Sequence, residues 1–191
     1  MYLFFDTETT GLPKNWKAPV SDFDNWPRMV QLAYLLYDAE GNLMAEGNYI
    51  VEPVGFTIPA ESSLIHGIST ERALKEGLPL KDVLLSFQEM MKHAEYLVAH
   101  NIAFDEKIVG AELLRCGLEN NLMTKRRFCT MESSTNYCAI KTPKGLKWPR
   151  LSELHQKLFG CDFDEAHNAA VDIEATARCF WELRKRGLII I

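Results

Sequence analysis

The sequence predicts an α/β fold: a central mixed five-stranded sheet flanked by helices. Three observations predict it. The chain opens with the apolar run Tyr2-Leu3-Phe4-Phe5, of the kind found in a strand buried on both faces. Two further strand-like segments lie on either side of the turn Glu40-Gly41-Asn42, which makes them a hairpin. From about residue 80 onward, helical periodicities alternate with short apolar runs. A meander that gives way to alternating helix and strand belongs to the α/β class.

Taken in order, the first strand is Tyr2–Asp6, followed by a long loop from Thr10 to Pro27. The second and third strands are Met29–Asp38 and about Leu43–Glu52. Leu80, Val83, Leu84, Phe87 and Met91 share a helix face, with Pro79 at its start. Glu95–Ala99 is a short strand leading into a helix from about Ile102 to Cys116, stopped by Gly117. A short strand is predicted near Phe128–Thr130 and a short helix at Leu151–Phe159. The last helix runs from about Asn168 to Arg186, and Gly187 follows it.

A chain of 191 residues suits one domain, residues 1–191. At 47% hydrophobic and 25% charged it reads as globular. No apolar run is long enough to span a bilayer. The short apolar start lacks the basic flank of a signal peptide, so the expected location is cytoplasmic. Cys116, Cys129, Cys138, Cys161 and Cys179 are scattered with no Cys-x-x-Cys pair. Neither a disulfide framework nor a zinc site is indicated.

The carboxylates carry the chemistry. Asp6 and Glu8 stand two apart at the end of a strand, so they share one face. Strand ends at this edge of an α/β sheet gather active sites. Paired carboxylates there repel each other unless a cation binds, and hard oxygen ligands suit Mg²⁺ or Mn²⁺. The same Asp-x-Glu spacing at Asp38/Glu40 reads as a solvated turn. Two histidines each precede an aspartate by five residues, His100/Asp105 and His167/Asp172. Each aspartate taken alone also suits a helix-dipole partner. Asp6, Glu8, Asp105 and Asp172 together point to a shared metal site.

The segments Asp6-Thr7-Glu8-Thr9-Thr10-Gly11, His100-Asn101-Ile102-Ala103-Phe104-Asp105 and His167-Asn168-Ala169-Ala170-Val171-Asp172 resemble the three motifs of the DEDDh exonucleases. This family includes the epsilon proofreading subunit of bacterial replicative DNA polymerase. Ile65-His66-Gly67-Ile68 is similar to a segment between the family's first two motifs. The resemblance runs from Tyr2 to about Leu183. It implies a ribonuclease-H-like fold and 3′→5′ hydrolysis of DNA to nucleoside 5′-monophosphates. It also implies two divalent ions, Mg²⁺ or Mn²⁺. Asp6 would bridge both ions, Glu8 and Asp172 would complete one site, and Asp105 would help hold the other through water. His167 would be the general base. The sister family has a tyrosine four residues before the last aspartate; here that residue is Asn168. Thr9, His66 and Asn101 are candidates for contacting a single-stranded 3′ end.

Trimming of RNA ends or short oligoribonucleotides is the alternative within the same chemistry, and a non-catalytic nucleic-acid-binding module lies outside it. The resemblance also raises a DNA polymerase as partner. The chain ends four residues after Gly187, which leaves free-standing and tethered forms both open. In the loop Pro13–Pro27, Trp16, Phe23 and Trp26 either stack on a base or pack the loop down. Gln156-Lys157-Leu158-Phe159 faintly resembles a clamp-binding peptide but falls within a helix, and reads as core.

The net charge is −5, and two divalent ions would offset most of it. Between Asn121 and Arg150, seven basic residues face only Glu132. Such a stripe either tracks a phosphate backbone or is an ordinary solvated surface. Neutralising Lys144 and Lys147 should therefore flatten the dependence of nucleic-acid affinity on salt. An unchanged slope in a salt titration would refute that role.

Overall fold

Alternation along the first strand sets the layers. The computed structural model describes residues 1–161, 163 and 168–191. Strand β1 spans Tyr2–Thr9, three residues beyond the predicted end. Its even-numbered side chains Tyr2 and Phe4 pack on Phe180, with ring centroids 5.3 and 5.1 Å apart. Its odd-numbered Phe5 packs on Phe87 at 5.3 Å on the opposite face. Each side of the sheet therefore has its own cover, as the doubly apolar run required.

β2 (Met29–Tyr37) and β3 (Leu43–Ile50) complete an antiparallel meander with β1. Two seven-residue helices follow, α1 (Ala60–His66) and α2 (Thr70–Glu76), neither of which was foreseen. Then come α3 (Leu80–His93), β4 (Tyr96–Ala99) and α4 (Ile102–Arg115). A single 3₁₀ turn at Leu122–Thr124 leads into β5 (Arg126–Cys129). Two four-residue helices, α5 (Thr130–Ser133) and α6 (Thr135–Cys138), precede a small hairpin of β6 (Lys141–Thr142) and β7 (Gly145–Leu146). The chain closes with α7 (Leu151–Phe159) and α8 (Ala169–Lys185).

The main sheet has the order β3-β2-β1-β4-β5. β4 runs parallel to β1, and β5 parallel to β4. This is the mixed five-stranded sheet the sequence predicts, with β1 at its centre. α8 covers one face, and α3 and α4 the other. Gly117 ends α4 as expected: at φ 66° it lets Leu118 N–H reach back to the Leu113 carbonyl at 2.9 Å.

Among the described residues, no helix is long and apolar enough to cross a membrane. In the loop after β1, Trp26 is buried and its Nε1 donates to Pro19 O at 2.9 Å. Arg115 lies over Phe23, and Trp16 packs on Phe104 at 5.7 Å. These contacts favour the packing role for the loop aromatics. Leu158 is likewise buried in α7.

The same loop is clamped by a carboxylate inside α4. Glu112 is fully buried. Its Oε1 accepts from Arg28 Nε and from Met29 N, both at 2.9 Å, and pairs with Arg115 NH1 at 3.1 Å. Removing the carboxylate strands buried guanidinium charge. Glu112→Ala is expected to destabilise the fold by about 3 kcal/mol, the low end for a broken buried pair because Arg28 keeps some solvent contact. Urea unfolding checks this, and a loss below about 1 kcal/mol would show that the clamp contributes little.

Candidate active site

Asp6 and Glu8 extend the even-numbered face of β1 that also carries Tyr2 and Phe4, so they point toward α8. The start of α8 is fixed twice. Asn168 Oδ1 accepts from Ala170 N at 3.0 Å, capping the helix, and Gln31 Oε1 of β2 accepts from Ala169 N at 3.4 Å. This sets Asp172 in the first turn of the helix, facing β1. One carboxylate oxygen each from Asp6, Glu8 and Asp172 falls within 4.8 Å of the other two. Oxygens on opposite sides of a Mg²⁺ or Ca²⁺ ion stand roughly 4–5 Å apart, so the three fit a hard divalent cation.

Electrostatics support that fit. Burial pushes the Asp6 carboxyl well above its ordinary range, and Asp105, Glu8 and Asp172 push it further. Glu8 is raised to about 8 by burial, then by Asp172 and Asp105. Among the described residues, the charges that raise these two groups are all carboxylates, an arrangement that a bound cation relieves.

Asp105 stands apart from the trio. It lies in the first turn of α4, on the other face of the sheet, and is buried. Its Oδ1 accepts from Thr7 N at 3.0 Å and from Thr7 Oγ1 at 2.7 Å. Burial raises it to about 7, with the two Thr7 bonds opposing. It reaches Asp6 through charge, while its Oδ1 is held by the backbone and hydroxyl of Thr7, the residue between Asp6 and Glu8.

The two histidines of the repeated spacing divide. His100 ends β4 and makes structural bonds. Its Nε2 lies 3.0 Å from Pro149 O and its Nδ1 3.0 Å from Thr130 Oγ1. Burial lowers its pKa to about 4, the Pro149 carbonyl opposing, so the ring is neutral at pH 7. A carbonyl only accepts, so Nε2 holds the proton and Nδ1 accepts from the Thr130 hydroxyl. His167 lies outside the described residues.

Two cavities flank the carboxylates. The larger, about 540 Å³, is lined by Asp6, Asp172, His100, Arg150, Ser152 and Phe163. The smaller, about 250 Å³, is lined by Glu8, Thr9, Leu12, Ile65, His66 and Phe104. Thr9 Oγ1 donates to Gly11 O at 2.7 Å. His66 is buried, and its Nδ1 accepts from Ile68 N at 3.2 Å. Burial lowers the His66 pKa, with the Thr9 backbone opposing. Asn101 caps α4 in the left-handed region, at φ 75°, and lines neither cavity.

Arg150 and Ser152 went unforeseen. The signal available was the position of Arg150, last in the basic stripe and just ahead of α7. The stripe itself is partly spent inside the fold: Arg126 pairs with Glu95 at 3.0 Å, Arg127 with Glu106 at 2.6 Å and Lys147 with Glu153 at 2.6 Å.

The chain belongs to the exonuclease family: the family model RNase_T, described as exonuclease, matches residues 3–180. With its motif residues in order, it is of the DEDDh class of 3′→5′ exonucleases, which are hydrolases that use divalent metals. Among its relatives, the PolC-type DNA polymerase III of Listeria innocua serovar 6a is 28% identical over 184 residues, 96% of this chain and 11% of that one. The uncharacterized exonuclease CP81 of Escherichia phage 186 is 26% identical over 190 residues, 97% of this chain and 89% of that one. Among solved structures, E. coli Exonuclease I in complex with a dA16 oligonucleotide gives a TM-score of 0.75 at 19% identity, over 98% of this chain and 41% of that one. Exonuclease I from Methylocaldum szegediense gives 0.74 at 22% identity, over 97% and 40%. The chain thus spans well under half the length of the polymerase and of the Exonuclease I structures. The shared architecture is the ribonuclease-H-like fold.

The raised carboxylates have a measurable consequence. The metal-free native state holds protons that the unfolded chain releases, so its stability is greatest below the ordinary carboxylate pKa. That stability is lost as pH rises through about 7 and 8, the folded values for Asp105 and Glu8. In chelator, the melting temperature is expected to fall between roughly pH 5 and pH 8, with Mg²⁺ or Mn²⁺ restoring it and Glu8→Gln removing part of the fall. A flat profile in chelator would contradict this account of the cluster.

Proposed function

We propose that the chain is a metal-dependent 3′→5′ exonuclease, acting as one domain, that hydrolyses the terminal phosphodiester of single-stranded DNA and releases nucleoside 5′-monophosphates. The observation that carries this reading is the convergence of Asp6, Glu8 and Asp172 between two cavities, Asp6 and Asp172 lining the larger and Glu8 the smaller. The oligonucleotide named in the Exonuclease I complex supports a single-stranded substrate. The PolC-type relative supports a proofreading or repair role beside a polymerase.

In this reading Asp6, Glu8, Asp172 and Asp105 would hold two divalent ions, Mg²⁺ or Mn²⁺, with Asp105 also fixing Thr7. When bound, the ions acidify a water and offset charge on the leaving 3′-oxygen. An imidazole nitrogen of His167 takes the proton of the attacking water, a task suited to its near-neutral intrinsic pKa. The water oxygen bonds to phosphorus as the P–O3′ bond breaks, leaving a 5′-phosphate on the released nucleotide, and the departing 3′-oxygen takes a proton from solvent to become the strand's new 3′-hydroxyl. Thr9 and His66, at the smaller cavity, and Asn101 contact the terminal nucleotide.

Incubation of 5′-labelled single-stranded DNA with Mg²⁺ or Mn²⁺ is expected to give a ladder shortening from the 3′ end, abolished by chelator. His167→Ala is expected to lower the rate by about 10²–10⁴-fold, and Asp6→Ala and Asp172→Ala at least as much. A matched RNA strand ranks the alternative substrate. DNA and RNA that both stay intact with either metal would sink the catalytic reading.

A further inference from the structure

Resting on the nucleic-acid reading, we infer that the β6–β7 arm is a docking platform for the single strand leading into the active site, with Trp148 stacking on a base and Lys141, Lys144 and Arg150 engaging phosphates. The arm pairs Lys141 with Leu146 and Thr142 with Gly145 across a two-residue turn that carries Lys144. Pairing continues one step further, where Lys147 N donates to Ile140 O at 3.0 Å. Trp148 precedes Pro149, which holds it in an extended conformation. By alternation Trp148 lies on the same side as Leu146, and Lys141 stands directly across from Leu146.

Trp148 is 61% exposed. An indole left in water is a large unused apolar face. Among the described residues, Lys141, Lys144 and Arg150 make no salt bridge, in contrast to Arg126, Arg127 and Lys147 in the same stripe. An open aromatic face, with Lys141 and Lys144 outside any salt bridge and Arg150 close behind, matches a base with its phosphates. A protein partner calls for a broader apolar surface, and the apolar side chains this face exposes are Leu146 and Trp148.

The arm is also aimed. His100 grips Pro149 O at 3.0 Å, and Lys147 is pinned to Glu153 at 2.6 Å. Arg150 lines the larger cavity together with Asp6 and Asp172. The Cα atoms of Trp148 and Arg150, two residues apart, are at most about 7 Å from each other. The platform therefore adjoins the carboxylates, and a strand whose 3′ end enters the cavity reaches it within a few nucleotides. His100 is a positioning residue here, joining the cavity wall to the arm.

The test pairs binding with cleavage. Fluorescence anisotropy of 5′-labelled dT20 is measured with Ca²⁺ for wild type, Trp148→Ala and Trp148→Phe. Trp148→Ala is expected to weaken binding roughly tenfold, and Trp148→Phe to restore most of it. In cleavage with Mg²⁺, Trp148→Ala should raise KM for dT20 by a similar factor, keep kcat, and leave a labelled dT3 substrate, too short to span to the arm, unaffected. Equal binding of dT20 by wild type and Trp148→Ala overturns the proposal whatever cleavage shows. An equal loss on dT3 and dT20, or a switch from dimer to monomer in sedimentation of Trp148→Ala, overturns it as well. Intact binding differences with no cleavage by the wild type would count against the exonuclease reading and leave the platform standing.

Discussion

The site depends on one short contact, the double acceptance of Thr7 by Asp105. A threonine in the middle of the first motif offers its backbone N–H and its hydroxyl to the same carboxylate oxygen. This ties the central strand to α4 on one face of the sheet. Because side chains alternate, fixing Thr7 toward α4 fixes Asp6 and Glu8 toward α8. The apolar residues before them repeat the rule, with Phe5 on the α3 side and Phe4 on the α8 side. The chemistry-bearing edge is thus the continuation of core packing by one more turn of the pleat.

Two kinds of buried acid coexist in this fold. Glu112 is surrounded by donors from Arg28, Arg115 and the Met29 backbone, so its charge is compensated where it lies. Asp6 and Glu8 are buried among other carboxylates. The first arrangement stabilises the folded chain alone. The second concentrates negative charge at one point, which favours the binding of a cation. His100 belongs with the compensated group, held neutral by burial while two bonds satisfy its ring nitrogens. It shares its spacing from an aspartate with His167 but not its proposed task.

Much of this was legible in the residues. The apolar run of β1, the hairpin turn and the long periodic helices gave the sheet and its covers. α7 was placed from Leu151 to Phe159 as observed. α1, α2 and the β6–β7 arm were not placed, because seven residues of helix and two residues of strand carry too little periodicity to register. Asp6 and Glu8 were readable from alternation alone, and Asp172 from its motif. Two facts were not readable. Asp105 spends its oxygen on Thr7, which requires knowing that α4 crosses behind β1. The basic stripe loses Arg126, Arg127 and Lys147 to acids distant or near in sequence, which a charge count along the chain does not reveal.

The loop after the first motif is held in an unusual way. Lys107 donates to the carbonyl of Trp16, and Arg115 to those of Phe23, Trp26 and Pro27. Thr10 N donates to Arg28 O and Arg28 N to Thr10 Oγ1, closing the two ends. The lysine and arginine anchors grip the main chain, which every residue possesses, while side chains such as Leu12 stay exposed. The loop is therefore a place where sequence can drift while its course stays fixed, so a lineage carrying this fold can vary what it displays beside the carboxylates without rebuilding the scaffold beneath them.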